Sequence, residues 1–176
     1  MVKALAIVGS PRKANTYRLI KTIAELLSKR NIETEAIFLG DINIQNCKGC
    51  NNYCSANKTC LIQDDMQSLY SKLKEADVII IGTPTYFWNV SGSLKTFIDR
   101  THPLYVTRAL KGKIGAAVAV SEINGQNFAI LGISSFFSLH EIREVGSLSI
   151  AHEGKNIKEE DVEMVKTLAE KILQSL

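Results

Sequence analysis

The chain has 176 residues, of which 45% are hydrophobic and 22% are charged, and this balance is typical of a soluble globular domain. Basic residues outnumber acidic ones by only 21 to 18 and are spread along the chain, which excludes a nucleic-acid-binding protein with a concentrated basic face. No apolar run approaches the roughly 18 residues of a membrane span, and the N-terminal run lacks the features of a signal peptide. We therefore expect one domain over residues 1–176, located in the cytoplasm, with no membrane partner and no nucleic-acid partner.

Strand-like and helix-like patterns alternate along the chain. The strand-like segments are short apolar runs, and the helix-like segments carry apolar residues three and four positions apart. Strands are predicted at Ala4–Val8, Thr34–Leu39, Val78–Ile81, Ile114–Val120 and Glu141–Ile150. Helices are predicted at Asn15–Arg30, from Asp64-Asp65 onward, Ser93–Thr101, Gln126–Leu139 and Lys158–Leu173. The residues expected on the buried helix faces are Ile20, Ile23, Ala24, Leu27, Leu69, Leu73, Val162, Val165, Ala169 and Ile172.

Five strands, each followed by a helix, predict an α/β protein with a doubly wound parallel sheet and helices on both faces. The smallest version of this architecture has five strands in the order 2-1-3-4-5. Ligands of such sheets bind beyond the carboxyl ends of the strands, where the strand order reverses between strands 1 and 3. The sequence therefore predicts a site formed by the loops Gly9–Thr16 and Thr83–Gly92.

The first of these loops is rich in groups that bind an anion. It contains neither a dinucleotide fingerprint nor a P-loop motif, but it places Arg12 and Asn15 at the start of a helix. Backbone N–H groups at a helix N-terminus bind anions, and Arg12 can add a charged contact, so the loop suits a monophosphate. The alternative is an ordinary N-cap in which Asn15 or Thr16 bonds to free backbone donors.

The second loop carries three consecutive aromatic residues, Tyr86, Phe87 and Trp88, directly after a predicted strand. Three neighbours in the chain cannot all face one core, so at least one of them is exposed or covers a ligand. A planar heterocycle stacked on them accounts for the run, and an aromatic contact between subunits is the alternative.

All four cysteines lie in a polar, cysteine-rich loop at about residues 43–63. Cys47, Cys50, Cys54 and Cys60 follow the spacing C-x2-C-x3-C-x5-C. Disulfide frameworks usually distribute their cysteines among distant elements, so four thiols in one loop favour a shared ligand. An iron–sulfur cluster, a zinc ion, a disulfide and free thiols all remain open from this spacing.

Several motifs resemble one family in the same order along the chain. They are Val-Gly-Ser-Pro-Arg-Lys at 8–13, Cys-Lys-Gly-Cys at 47–50, Asp-Asp-Met at 64–66, Thr-Pro-Thr-Tyr-Phe at 83–87 and Asn-Val-Ser-Gly-Ser-Leu-Lys-Thr-Phe-Ile-Asp-Arg at 89–100. In these motifs the sequence is similar to the NADPH-dependent FMN reductases, and most similar to their iron–sulfur flavoprotein branch. Two positions depart from the pattern: the loop 121–126 has a single glycine, and Tyr53 is an extra residue between the second and third cysteines.

The resemblance implies a flavodoxin-like fold that binds FMN. It implies that the FMN phosphate is held by Ser10, Arg12, Asn15 and Thr16. It implies that the isoalloxazine ring is lined by Pro84, Thr85, Tyr86, Phe87, Trp88 and Asn89. Together with the cysteine spacing, it predicts a [4Fe–4S] cluster held by Cys47, Cys50, Cys54 and Cys60. The expected partners are NAD(P)H or a ferredoxin-like electron donor, and a homodimer or homotetramer is expected.

These features predict an FMN-dependent oxidoreductase in which the flavin carries the chemistry and no side chain acts as a catalytic acid or base. His102, His140 and His152 share no motif with a nucleophile, and Asp99-Arg100 is expected to form a structural ion pair. Two other functions remain open. One is a non-enzymatic, flavodoxin-like electron carrier, and the other is a binding module whose cysteine loop is stabilised by a metal or a disulfide.

Overall fold

A computed structural model of the chain describes residues 1–50, 52–154 and 156–176. The strands of these residues are β1 (Lys3–Val8), β2 (Glu33–Phe38), β3 (Val78–Pro84), β4 (Ile114–Ser121) and β5 (Arg143–Ala151). Their α-helices are α1 (Asn15–Ser28), α2 (Tyr53–Asn57), α3 (Met66–Glu75), α4 (Gly92–Asp99), α5 (His102–Val106), α6 (Gln126–Leu139) and α7 (Glu159–Gln174). A short 3-10 helix, Leu39–Asp41, follows β2.

The five strands form one parallel sheet in the order β2-β1-β3-β4-β5, which confirms the predicted topology. The central strands β1, β3 and β4 are buried almost throughout, because helices cover both of their faces. The edge strand β2 contains only exposed and half-buried residues. The carboxyl ends of all five strands therefore lie along one edge of the sheet.

The helices form a layer on each face of the sheet. On one face, α3, α4 and α6 pack against strand residues such as Leu5, Ile79 and Ala117. On the other face, α1 and α7 pack against the alternate residues, for example Ala6 and Ile80. The predicted buried helix positions are confirmed apart from Val162, which is only partly buried.

Two local features differ from the sequence-based expectations. The helix predicted at Ser93–Thr101 ends at Asp99, and a separate helix, α5, begins at His102. Pro103 explains the interruption, because proline has no N–H to continue the hydrogen-bond ladder and tolerates only the first turn of a helix. The cysteine-rich loop contains the short helix α2, which the sequence pattern did not predict. No helix in the described part of the chain has both the length and the apolarity to cross a bilayer.

Candidate functional site

The loops that follow β1 and β3 are tied together by hydrogen bonds. The Ser91 hydroxyl donates to the carbonyl oxygen of Gly9 and accepts a bond of 3.1 Å from the backbone N–H of Leu94, so it also caps α4. The backbone N–H of Ser91 donates to the Thr83 hydroxyl over 3.1 Å. The two loops therefore meet at the switch point between β1 and β3, as the strand order predicts.

A cavity of about 310 Å³, the switch-point cavity, opens between these loops and the ends of β4 and β5. Its walls are formed by Ser10, Arg12, Ala14, Asn15, Thr16, Pro84, Thr85, Tyr86, Val120, Glu122 and His152. The structure thus brings all four predicted phosphate residues together with Pro84, Thr85 and Tyr86. The other predicted ring residues, Phe87, Trp88 and Asn89, lie outside these walls.

The first wall of the cavity is the N-terminus of α1. Its N-cap is Ala14, which offers no side-chain cap, so the alternative of a plain N-cap by Asn15 or Thr16 is not what forms. The Ser10 hydroxyl donates to the carbonyl of Arg12 over 2.6 Å and shapes the loop. The Arg12 side chain is exposed, whereas Thr16 is buried. This wall combines free backbone N–H donors, hydroxyls and one cation.

A glycine in β3 brings α1 close to the sheet at this point. A Cβ built on Gly82 would lie 2.3 Å from Cγ1 of Ile20 and 3.2 Å from Cγ2 of Thr16. Any larger residue at position 82 would push the first turns of α1, and with them the anion-binding donors, away from the cavity.

Two buried polar atoms on the cavity residues lack a hydrogen-bond partner. They are the Thr85 hydroxyl oxygen and Nδ1 of His152, and neither finds one among the described residues. Buried polar groups in folded proteins are nearly always paired, and a group left without a partner costs about 1–3 kcal/mol. Both residues line the switch-point cavity.

The aromatic run forms a tight two-residue turn. Tyr86 and Asn89 exchange backbone hydrogen bonds of 2.9 and 3.0 Å, which leaves Phe87 and Trp88 at the tip with φ of 49° and 59°. Non-glycine residues adopt such left-handed conformations at a cost of roughly 1–2 kcal/mol each. The turn directs the three side chains differently, because Tyr86 lines the cavity and the Phe87 side chain lies entirely in solvent.

Trp88 belongs to an exposed apolar surface. Its ring stacks on Phe128 at 5.5 Å with an interplanar angle of 3°, and its Nε1 donates to Asn124 over 3.0 Å. Gly125, in a left-handed conformation, makes room for it, since a Cβ there would lie 2.3 Å from the indole. We call the exposed side chains Phe87, Trp88, Phe128 and Leu131 the aromatic patch.

A second cavity of about 410 Å³, the cysteine cavity, contains all four cysteines in its walls. Its other wall residues are Gly49, Asn52, Tyr53, Asp99, Arg100, His102 and Pro103. Cys47 is exposed, Cys50 and Cys54 are half-buried, and Cys60 is buried. All four cysteines therefore face one common space.

The four thiols influence one another electrostatically. Burial raises the pKa of the Cys54 thiol, and the negative charges of Cys60, Cys50 and Cys47 raise it further. Within the described residues, no group of three or more His, Cys, Asp or Glu side chains is arranged to hold a metal ion. The four thiols thus share one cavity.

Arg100, a wall residue of the cysteine cavity, forms a buried ion pair with Asp64. Arg100 and Asp64 have 1% and 2% of their side-chain surface exposed and are joined by two hydrogen bonds of 2.6 and 3.0 Å. The Arg100 guanidinium also donates to the carbonyls of Gln45 and Ile62, over 2.7 and 3.3 Å. The expectation that Arg100 makes a structural ion pair is met, while its neighbour Asp99 pairs with Lys95 at the surface.

Cys60 lies directly beside this ion pair. Burial lowers the pKa of the Arg100 guanidinium, but the hydrogen bond to Asp64 and the neighbouring Cys60 thiolate outweigh that effect, so the pKa is raised. Burial raises the pKa of the Tyr70 hydroxyl, and the negative charge of Cys60 adds to the shift. Tyr70 donates a 2.7 Å hydrogen bond to the carbonyl of Arg100, so the three side chains form one contact group.

The helix α4 connects the two cavities. It begins next to Ser91, which holds the loop of the switch-point cavity, and it ends next to Arg100, which lines the cysteine cavity. With 8 residues and a rise of 1.5 Å per residue, α4 is about 12 Å long. The two sites therefore lie near opposite ends of a short helix.

A third depression of about 680 Å³, the α4–α6 groove, lies next to the cysteine cavity and shares Asp99 and His102 with it. His140 forms part of its wall, and its Nε2 is 3.0 Å from the Thr101 hydroxyl. Burial lowers the pKa of His140 to about 4, and the charge of His102 contributes. His140 is therefore a buried, neutral residue at pH 7.

Sequence reasoning missed several residues of both cavities. Glu122 and His152 follow β4 and β5 on the edge of the sheet that carries the predicted loops, and that position was the signal available for them. Asp64 was assigned to the start of α3, where its carboxylate does accept a 3.1 Å bond from the backbone N–H of Met66. Its pairing with Arg100, 36 residues away, could not be predicted from the sequence around either residue.

The comparisons with known proteins agree with this architecture. An archaeal flavodoxin structure superposes with a TM-score of 0.66 at 18% identity, and the alignment covers 99% of this chain and 98% of that one. An iron–sulfur flavoprotein of Methanocaldococcus jannaschii is 41% identical over 148 residues, which is 82% of this chain and 76% of that protein. An iron–sulfur flavoprotein of Methanosarcina thermophila is 35% identical over 176 residues, covering 96% and 91%.

The parallel sheet and the cavity at its switch point define a flavodoxin-like protein. The family model of the NADPH-dependent FMN reductases matches residues 2–156, and the chain belongs to that family. The protein is thus an FMN-dependent oxidoreductase, in a family defined by a nicotinamide electron donor. This assignment favours the enzyme over the non-enzymatic carrier and over the binding module.

Proposed function

We propose that the switch-point cavity binds FMN and that the chain transfers electrons from NAD(P)H through this flavin. The observation that carries the proposal is the pair of unpartnered polar atoms, on Thr85 and His152, in a cavity that also contains an uncapped helix N-terminus. FMN fits this set of donors, because its phosphate needs N–H groups and a cation while its ring and ribityl chain need scattered polar partners.

In this proposal, Ser10, Arg12, Asn15 and Thr16 hold the phosphate, and Pro84–Asn89 adjoin the ring. A bound flavin accepts a hydride and releases electrons singly, so it supplies the redox chemistry. The backbone N–H groups of α1 orient the phosphate, and Arg12 balances its charge at the open side of the cavity. Tyr86 covers the cavity from the β3 side and limits the access of water.

The phosphate loop provides the test of this site. We expect the double variant Arg12→Ala/Thr16→Ala to bind FMN about 100- to 10,000-fold more weakly, because two hydrogen bonds to a charged group contribute about 1.5–3 kcal/mol each. Titration of the cofactor-free variant with FMN, followed by flavin fluorescence, measures the change. Thr16 is buried, so circular dichroism must show that the double variant is folded.

Two controls separate binding from packing. Thr16→Ser keeps the hydroxyl and should bind FMN like the wild type, and Lys13→Ala removes a neighbouring exposed cation that does not line the cavity. Riboflavin lacks the phosphate, so its affinity should hardly change in the double variant. An unchanged FMN affinity in a folded double variant would remove this loop from the site.

We further propose that Cys47, Cys50, Cys54 and Cys60 hold a [4Fe–4S] cluster. All four thiols line one cavity, and the relatives with 41% and 35% identity carry the name iron–sulfur flavoprotein. A cubane takes one thiolate on each of its four irons, so it needs its ligands around a cavity rather than around a point. A cluster accepts electrons one at a time. Its proposed site adjoins the C-terminal end of α4, and the proposed flavin site adjoins the N-terminal end.

A flavin and a cluster in one chain also suggest which electron donors it uses and in which cellular compartment it works. A protein with a flavin and a cluster can receive electrons from NAD(P)H or from a ferredoxin-like protein, and we propose one of these two as the donor. We place the chain in the cytoplasm, because thiolates that ligate iron must stay reduced and the cytoplasm keeps thiols in that state.

We also propose that the aromatic patch is the contact between copies of this chain, in a homodimer or a homotetramer. Light scattering of the wild type should therefore give a mass of two or four chains of 19.4 kDa. Phe128→Asp/Leu131→Asp places charges in the middle of the patch and should yield monomers, since unpaired buried charges oppose association.

Met164→Asp is the matched control for the assembly experiment, because Met164 is also an exposed apolar residue but lies on α7, on the other face of the sheet. Its mass should equal that of the wild type. A wild-type chain that is monomeric at working concentration would refute the proposed assembly.

A further inference from the structure

Arg100 has one nitrogen that the rest of the protein does not use. Its two terminal nitrogens are held by Asp64 and by the carbonyls of Gln45 and Ile62. Nε is buried and has no acceptor among the described residues. A guanidinium is always charged and cannot shed this proton, so an unpaired N–H here is costly. The fold keeps it in place at the wall of the cysteine cavity, where a bound group can accept it.

Among the four cysteines, Cys60 shares the buried environment of Arg100. It is the one buried cysteine of the four and lies beside Arg100 in the same cavity wall. Its backbone is fixed as well, because Gln67 donates to the carbonyl of Cys60 over 3.2 Å. The other three cysteines are more exposed, so one corner of the proposed cluster site differs from the rest in burial and charge.

The guanidinium is held rigidly in this orientation. Asp64 grips its two terminal nitrogens in a fork, and the Tyr70 hydroxyl fixes the carbonyl of Arg100 at 2.7 Å. Asp64 lies across the guanidinium from Nε, so it balances the charge of Arg100 and leaves the Nε–H group free. Arg100 therefore keeps its place independently of the exposed part of the cysteine loop.

We propose that Nε of Arg100 donates a hydrogen bond to the Cys60 sulfur of the cluster and thereby raises the reduction potential of the cluster. This inference rests on the cluster proposed above. Reduction adds negative charge to the cluster and its sulfurs, so an N–H donor and a buried cation at one sulfur stabilise the reduced state more than the oxidised state. Arg100 thus biases the cluster toward accepting an electron.

The test compares the midpoint potential of the cluster in the intact holoprotein with that of two variants. Arg100→Lys keeps the charge but removes the guanidinium Nε donor, and Asp64→Leu/Arg100→Met removes the donor without changing the net charge. Replacing a buried ion pair by apolar residues of similar size is often tolerated, and circular dichroism must show that the double variant is folded. Arg108→Lys, in an exposed bidentate pair with Glu141, is the matched control.

A redox titration followed by electron paramagnetic resonance provides the readout. At the wild-type midpoint, we expect the ratio of reduced to oxidised cluster to fall at least tenfold in both variants, which is 59 mV for a one-electron couple. Arg108→Lys should leave the ratio unchanged. Variants that contain the full complement of iron and sulfide but titrate like the wild type overturn the role of Arg100 alone. A wild-type protein without acid-labile sulfide overturns the cluster and this inference with it.

Discussion

Asp64→Asn is expected to lower the free energy of unfolding by about 3–5 kcal/mol, because it leaves the buried guanidinium of Arg100 without a counter-charge. Asparagine is nearly the same size, so the change tests charge rather than packing. In the wild type the Asp64 carboxylate accepts hydrogen bonds from the backbone N–H groups of Gln45 and Met66, over 2.9 and 3.1 Å. The substitution also weakens these two bonds, because a neutral amide oxygen is a weaker acceptor than a carboxylate. For a chain of this length the loss corresponds to a fall in melting temperature on the order of 10 °C.

Asp41→Asn is the matched control for this stability experiment. Asp41 forms an ion pair of 2.7 Å with Lys13, but both side chains are at least half exposed. Exposed pairs contribute about 0–1 kcal/mol, so the melting temperature of this variant should stay within a few degrees of the wild type. Equal effects of the two substitutions would contradict the role given to the buried pair.

The acid dependence of stability gives a second signature of the same carboxylate. Burial tends to raise the pKa of Asp64, but hydrogen bonds from Arg100 and from backbone N–H groups lower it below its ordinary value. The stability it contributes is therefore present above the ordinary aspartate pKa of about 3.9 and is lost as the pH falls through the lower folded value. The difference in melting temperature between wild type and Asp64→Asn should narrow below about pH 4.

The sheet and its switch point could be predicted because their determinants are local. Runs such as Val78–Ile81 are apolar at every position, which is typical of a strand covered on both faces, and their alternation with helical patterns fixes a parallel sheet. The chain order of the strands then places the loops after β1 and β3 side by side. The meeting of Gly9 and Ser91, far apart in the sequence, follows from that topology.

The parts that could not be predicted depend on contacts between distant segments. Asp64 carries the local signature of a helix N-terminus, and no residue near it in the sequence indicates that Arg100 is its partner. His152 follows a strand, but only the packed structure shows that its Nδ1 is buried without a partner. The orientation of Phe87 and Trp88 depends on a left-handed turn, which aromatic residues rarely adopt and which their propensities argue against.

Replacing any one of the four cysteines by alanine is expected to abolish the proposed cluster. Protein purified without air should contain about four iron atoms and four acid-labile sulfides per chain, because that is the content of a cubane held by four thiolates. In each single variant both numbers should fall toward zero. The loss of iron and sulfide should be most complete in Cys60→Ala, since Cys60 is buried beside Arg100, whereas Cys47 lies in the exposed part of the loop.

Ser55→Ala provides the control within the same loop. Ser55 lies in α2 next to Cys54, but it is not part of the cavity wall, so its variant should retain iron and sulfide at wild-type levels.

The iron and sulfide measurement also separates the alternatives left open by the cysteine spacing. A zinc site predicts one metal and no sulfide, and a disulfide or free thiols predict neither. The FMN content should stay constant across the series, because FMN depends on the switch-point cavity. Absence of sulfide after anaerobic reconstitution would overturn the cluster and leave the flavin site standing.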